Sequence, residues 1–175
     1  SSEPVEPPVA DGFRWYITEE VKPEDDGYAE IDVFVADDPG TGAYAFQMLI
    51  NGKEFSEYGI EIEEIAKGTA YSMMDTFVPN VKIGYVGASS TTTTDPQFAK
   101  ANTPVATFGI VVPDDMPAGK YELTFAKSEF KVGDANGKEL NPALVAGYLV
   151  IGESDDPVDP PVVDGFKWYI TEEVK

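Results

Sequence analysis

Apolar and polar residues alternate with a period of two along most of this chain. Phe13, Trp15 and Ile17 alternate with Arg14, Tyr16 and Thr18. Tyr28–Ala36 puts Ala29, Ile31, Val33 and Val35 on one face, and Ala43–Ile50 turns Tyr44, Phe46, Met48 and Ile50 the same way. Apolar residues alternate with Glu61 and Glu63 over residues 60–65. Residues 81–86 and 105–112 are β-branched and aromatic, residues 121–132 carry Tyr121, Leu123 and Phe125 on one face, and residues 143–151 close the pattern. Such alternation marks strands with one buried face. The separators are turn chemistry: Asp38-Pro39-Gly40, Asn51-Gly52, Asp95-Pro96, residues 114–119 and Asn136-Gly137. Short helical turns are expected only near residues 53–58 and 70–75. About nine strands at this spacing predict an all-β fold, a nine-stranded β-sandwich with jelly-roll topology and little helix. Trp15 shares the parity of Phe13 and Ile17, so it belongs to the core.

The opening strand occurs twice. Residues 6–22 (EPPVADGFRWYITEEVK) and 159–175 (DPPVVDGFKWYITEEVK) differ only at Glu6/Asp159, Ala10/Val163 and Arg14/Lys167, so 14 of 17 positions agree. The offset, 159 − 6 = 153 residues, is domain-sized and predicts a tandem array of modules. Acidic, proline-rich stretches at 1–11 and 153–165 read as semi-rigid linkers. The module then spans 12–152, and residues 166–175 open the next repeat.

Charge and composition narrow the chemistry. The chain has 12 Lys and Arg against 32 Asp and Glu, a net charge of −20. It lacks the cations for a basic nucleic-acid-binding patch or for adhesion to anionic lipid. No apolar run is long enough to span a membrane. Neither cysteine nor histidine is present, which removes thiolate nucleophiles, imidazole bases, disulfides and Cys/His zinc sites. The carboxylates at Asp37/Asp38, Glu61/Glu63/Glu64 and Asp114/Asp115 read as solvated faces, not as an acid pair across a sugar cleft. Residues 133–139 (GDANGKE) have too few oxygen ligands for a calcium loop and read as a hairpin turn. Residues 89–95 (SSTTTTD) form a polar loop that could carry O-linked sugar, although a plain loop accounts for them.

Two segments carry a family resemblance. Residues 40–71 (GTGAYAFQMLINGKEFSEYGIEIEEIAKGTAY) hold a glycine-led strand, an Asn-Gly turn, an I-E-I-E-E-I strand and K-G. Residues 103–130 (TPVATFGIVVPDDMPAGKYELTFAKSEF) place A-T-F before V-P-D-D and A-G-K-Y. In this order they resemble the cohesin modules of cellulosomal scaffoldins. The resemblance implies a nine-stranded jelly roll that binds dockerin modules, with calcium carried by the dockerin and no cofactor in this chain. It also implies an extracellular, secreted or cell-surface scaffold that takes part in plant polysaccharide breakdown.

The family's binding face uses the strands counted third, fifth, sixth and eighth, carried over here to residues 43–50, 82–88, 105–112 and 124–132. Taking alternate residues as outward gives Ala43, Ala45, Gln47 and Leu49 on the third and Lys82, Gly84, Val86 and Ala88 on the fifth. It gives Thr107, Gly109 and Val111 on the sixth, then Lys127, Glu129 and Lys131 on the eighth, with Leu140 in the loop beyond. Lys127 shares the parity of inward Tyr121, Leu123 and Phe125, so this strand must bulge near Ala126. Where the best-known cohesins offer polar residues on the third strand, this chain has Ala43 and Ala45, so an apolar contact centred on Leu49 and Val86 is expected.

The implied function is a non-catalytic protein-binding module. A carbohydrate-binding sandwich would require a coplanar row of exposed aromatics, and a structural repeat of a surface adhesin is a further alternative. The second copy of the opening strand would expose Phe166, Trp168 and Ile170 if left unpaired, which predicts self-association of residues 166–174 in trans.

Overall fold

Alternation along the strands becomes two sheets packed face to face in the computed structural model, which describes residues 12–91 and 94–152. The first sheet contains β1 (Arg14–Ile17), β3 (Tyr28–Ala36), β5 (Glu61–Lys67), β8 (Ala106–Val111) and β12 (Ala143–Val145), in the order β12-β1-β3-β8-β5. The second contains β2 (Glu20–Val21), β4 (Ala43–Ile50), β6 (Thr76–Asn80), β7 (Tyr85–Ser89), β9 (Gly119–Phe125), β10 (Lys131–Gly133), β11 (Glu139–Leu140) and β13 (Gly147–Ile151).

Thirteen strands are drawn among the described residues, not nine. Three chain runs are each cut in two. A single 3-10 turn, Lys127–Glu129, separates β9 from β10, and both halves pair with β4. The pairing sums change from 48 + 125 = 173 to 45 + 131 = 176 across it, so three extra residues bulge out just after Ala126. The other two interruptions lie where the first and last runs change sheets. β1 pairs in parallel with β12 in the first sheet, and β2 pairs in parallel with β13 in the second. The two runs therefore cross together and close one side of the sandwich. Gly147 sits at the crossing, where a Cβ would lie 2.0 Å from the Thr18 carbonyl oxygen.

Inward residues from both sheets form one core. Trp15 is fully buried, with the rings of Tyr44, Phe46, Phe125 and Phe130 at 5.1, 5.7, 6.3 and 5.3 Å, all edge-on. Edge-on rings bring positive ring edges to negative faces. The predicted inward sets of β3, β4 and β9 are all buried. Asn51 and Gly52 both take positive φ, at 48° and 76°, making the expected tight turn. Among the described residues helix is limited to two 3-10 turns, Phe55–Tyr58 and Lys127–Glu129; the expected turn near residues 70–75 does not form a helix. Asp38 ties the loops at one end: its carboxylate accepts from Gly40 N at 2.9 Å, Thr41 Oγ1 at 2.9 Å, Ala99 N at 3.0 Å and the Tyr71 hydroxyl. The linkers at 1–11 and 153–165 and the repeat at 166–175 lie outside the described residues.

Adding a methyl group at Gly147 forces two backbones apart at the crossing. Gly147→Ala should lower unfolding free energy by at least about 3 kcal/mol, the upper end of ordinary overpacking costs; urea denaturation within 1 kcal/mol of the parent, roughly, would contradict the crossing geometry. Burial holds the Tyr44 phenol protonated well above its usual 10. Burial does the same for Tyr71, reinforced by the charge of Asp38 and by the hydrogen bond donated to it. Groups raised on folding contribute stability that is complete below about pH 10 and is lost as pH climbs towards their folded values. Urea midpoints should therefore fall between roughly pH 9.5 and 11.5, and Tyr71→Phe should flatten that fall; equal slopes in parent and variant would contradict it.

Candidate functional site

The second sheet has an outer face that no described segment covers as a layer. Its strands run β6-β7-β4, followed by the interrupted β9/β10 run. Register fixes which side chains lie beside one another. Val78 pairs with Gly87, Gly87 with Ala45, and Ala45 with Lys131. The adjacent row is Thr76, Ser89, Ala43 and Gly133. On the other side lie Asn80, Tyr85 and Gln47, and beyond them Leu49 pairs with Thr124. Gly87 and Ala45 fill the middle of the first row and the small Ser89 and Ala43 the middle of the second, so the face is low there and rimmed by Val78, Tyr85, Leu49 and Lys131. Val78 is 60% exposed, while Leu49 and Tyr85 are half-buried.

On β4 and around the bulge the outward assignment agrees with the geometry. Ala43 is exposed, and Ala45 and Leu49 are half-buried on this face. Lys127, Glu129 and Lys131 are exposed, and the bulge holds Lys127 and Glu129 in the turn beside β4. Gln47 shares the outward parity but is buried, because its Nε2 donates to the Ile83 carbonyl at 2.8 Å and pins the β6–β7 turn to the sheet.

Elsewhere the outward assignment is corrected. Val86 and Ala88 pair with Phe46 and Tyr44, whose rings lie in the core, so both point inward; Val86 is fully buried. Gly84 is buried at a left-handed φ of 73° in the turn, and Lys82 is exposed in the same turn, not on a strand. Thr107, Gly109 and Val111 lie on β8, which pairs with β3 and β5 in the opposite sheet. There Thr107 Oγ1 donates to Asp32 Oδ1 at 2.6 Å. The Tyr28 ring lies over Gly109, whose added Cβ would be 2.7 Å from its hydroxyl. Leu140 pairs with buried Val132 and packs against the core from β11.

One missed strand underlies the misplacement of β8. β6 reads Thr-Phe-Val-Pro-Asn, and a proline within a strand argues against a central position. It is tolerated here because β6 is an edge that pairs only with β7. Omitting it moved the next two strands, β7 and β8, down by one in the count and placed β8 on the wrong sheet. It also hid Val78, Asn80, Tyr85, Gly87 and Ser89. The signal that could have found them is Asn80 followed by Gly84, the two ends of a hairpin turn in which Gly84 N donates to the Asn80 carbonyl at 3.0 Å.

The Glu61, Glu63 and Glu64 side chains are exposed, as are Asp114 and Asp115. Among the described residues no group of three acidic side chains is placed to hold a metal. Residues 134–138 form a turn, with Asp134 Oδ1 accepting from Asn136 N at 2.8 Å and Lys138 N at 2.9 Å. Phe98 is the one strongly exposed aromatic among the described residues, so they hold no aromatic row for stacking on sugars.

Solved structures share this architecture. The third ScaB cohesin of R. flavefaciens, solved in complex with a group 1 dockerin, superposes with a TM-score of 0.65 at 18% identity, covering 84% of this chain and 99% of that one. The OlpA cohesin of Clostridium thermocellum, from a type I cohesin–dockerin complex, gives 0.61 at 17% identity, covering 81% and 99%. A non-cellulosomal cohesin from the archaeon Archaeoglobus fulgidus gives 0.62 at 13% identity, covering 82% and 93%. No protein-family model matches the chain, and no curated protein matches it. The fold is that of the cohesin modules.

The corrected face makes opposite demands on two apolar residues. Val86→Asp buries a carboxylate with no partner and should cost more than about 3 kcal/mol in urea denaturation. Leu49→Asp should cost less than about 1 kcal/mol, since its side chain reaches solvent. Equal losses would contradict the placement of Val86 behind the sheet.

Proposed function

We propose that this chain is a cohesin module that recruits a dockerin-bearing protein to a scaffold through the outer face of the second sheet. The observation that carries the reading is the shape of that face: a shallow, glycine- and alanine-floored shelf with apolar and lysine side chains at its rim. A helix laid across the shelf can approach the floor closely because no long side chain rises from Ala43, Ala45, Gly87 or Gly133. The rim then supplies the energy. Burying what remains exposed of Leu49, Val78 and the Tyr85 ring contributes roughly 1 kcal/mol each, so that together they reach the scale of an interface hot spot. Lys127 and Lys131 stand beside this apolar set in a chain of net charge −20, and they suit carboxylates on the facing surface of the partner.

The action is recognition without reaction. The calcium of the assembly belongs to the dockerin, whose loops it orders. The module would act outside the cell, in a secreted or surface-attached scaffold. No helix among the described residues is long and apolar enough to cross a membrane. A cellulosomal setting is the reading in keeping with the R. flavefaciens and C. thermocellum cohesins, which were solved with dockerins.

Titration calorimetry against a panel of calcium-loaded dockerins tests this. Binding to at least one member should vanish with chelator. Leu49→Asp should weaken it at least tenfold, a loss of about 1.4 kcal/mol or more, with thermal unfolding nearly unchanged. A panel with no binder, or binding indifferent to Leu49→Asp, would contradict the assignment of the face.

A further inference from the structure

We infer that residues 166–174 are an alternative occupant of the slot filled by β1 and β2, and that they reach it from within the same chain. The slot reads almost every side chain it receives. All four residues of β1 are buried, and Val21 of β2 is buried as well. Trp15 fills the aromatic cluster, and Tyr16 stacks on Phe34 at 5.1 Å. Thr18 Oγ1 accepts from Asp32 N at 3.0 Å, tying the crossing to β3. The second copy supplies the same groups in the same order: Trp168, Tyr169, Ile170, Thr171 and Val174.

One slot residue differs. Arg14 donates to the Gly12 carbonyl at 2.8 Å and to Asp37 at 3.3 Å, whereas Lys167 stands at the matching position in the second copy. Both bonds leave the single nitrogen Nη1, and a lysine must place its ammonium there from a stem one atom shorter. Asp37 is 65% exposed, so an ion pair there is weak. The first copy is therefore favoured, but only modestly.

Length and direction make the exchange reachable. β13 runs parallel to β2, with Leu149 opposite Val21, so the described chain leaves at Gly152 beside the far end of the slot. Returning to the start of β1 requires about ten residues of strand, roughly 33 Å. The 13 residues 153–165 span up to about 40 Å even as polyproline-like backbone. A tether of this length gives an effective concentration of order millimolar. The same-chain copy thus outcompetes a second molecule at ordinary protein concentrations, and the exchange occurs in cis, not in trans. This conclusion does not depend on the dockerin reading.

Trp15 and Trp168 are the two tryptophans of the chain, so full-length variants report the occupant directly. In Trp15→Ala the remaining indole should show blue-shifted emission and protection from acrylamide, in a protein that sediments as a monomer. Trp168→Ala should unfold like the parent. The double variant should lose on the order of 10 °C in Tm, the usual consequence of truncating a buried Trp in a domain this size, and Trp15→Ala alone less than half of that. Solvent-like emission from Trp168, with Trp15→Ala as unstable as the double variant, would overturn the proposal. Protection of Trp168 only in a dimer would overturn the same-chain assignment.

Discussion

The paired crossing of the first and last strands is the constraint on which the rest of the structure depends. A sandwich needs its two sheets held in a fixed relation, and here one pair of parallel runs belongs to both. β1 and β12 lie in the first sheet, and β2 and β13 continue them into the second. The backbones approach so closely at Thr18 and Gly147 that no side chain fits between them. This crossing sets Trp15 of the first sheet against Tyr44 and Phe46 of β4. The front of β4 then takes its position from the aromatic packing behind it.

This arrangement explains how a shelf of glycine and alanine can be rigid. Small side chains give the outer face little packing of its own. The Tyr44, Phe46 and Met48 side chains are buried behind it, alternating with Ala45 and Gln47 along the same strand. Gln47 adds a tie in the plane of the face through its bond to the Ile83 carbonyl. A pre-formed face loses little entropy on binding, so modest apolar contacts translate into affinity. The opposite sheet has a different outer surface, with Glu30, Glu61 and Glu64 exposed and Tyr28 laid over Gly109.

Alternation made the sandwich, the inward sets of β3, β4 and β9, the core position of Trp15 and the bulge after Ala126 legible in the sequence. Each rests on a local rule, and the bulge follows from parity alone: Phe125 and Lys127 cannot both obey one alternation if one is core and the other exposed. Sheet membership is a long-range property and was harder to read. The Pro79 strand is permitted only by its place at an edge, which no local pattern reveals. Missing it moved β8 to the wrong sheet. The parity error at Val86 has another source, because the β-branched run 81–86 begins inside a turn. Gly84 at left-handed φ ends that turn and resets the phase. Burial of Gln47 was invisible for the same reason, since the group that covers it belongs to the misread turn.

Footprinting by backbone hydrogen exchange tests the central claim most directly. With the proposed partner, a calcium-loaded dockerin, added, amides of β4, β7 and the Lys127–Glu129 turn should gain protection, while β5 and β8 of the opposite sheet exchange as before. Protection confined to the β3–β8–β5 surface, or spread equally over both sheets, would contradict the account.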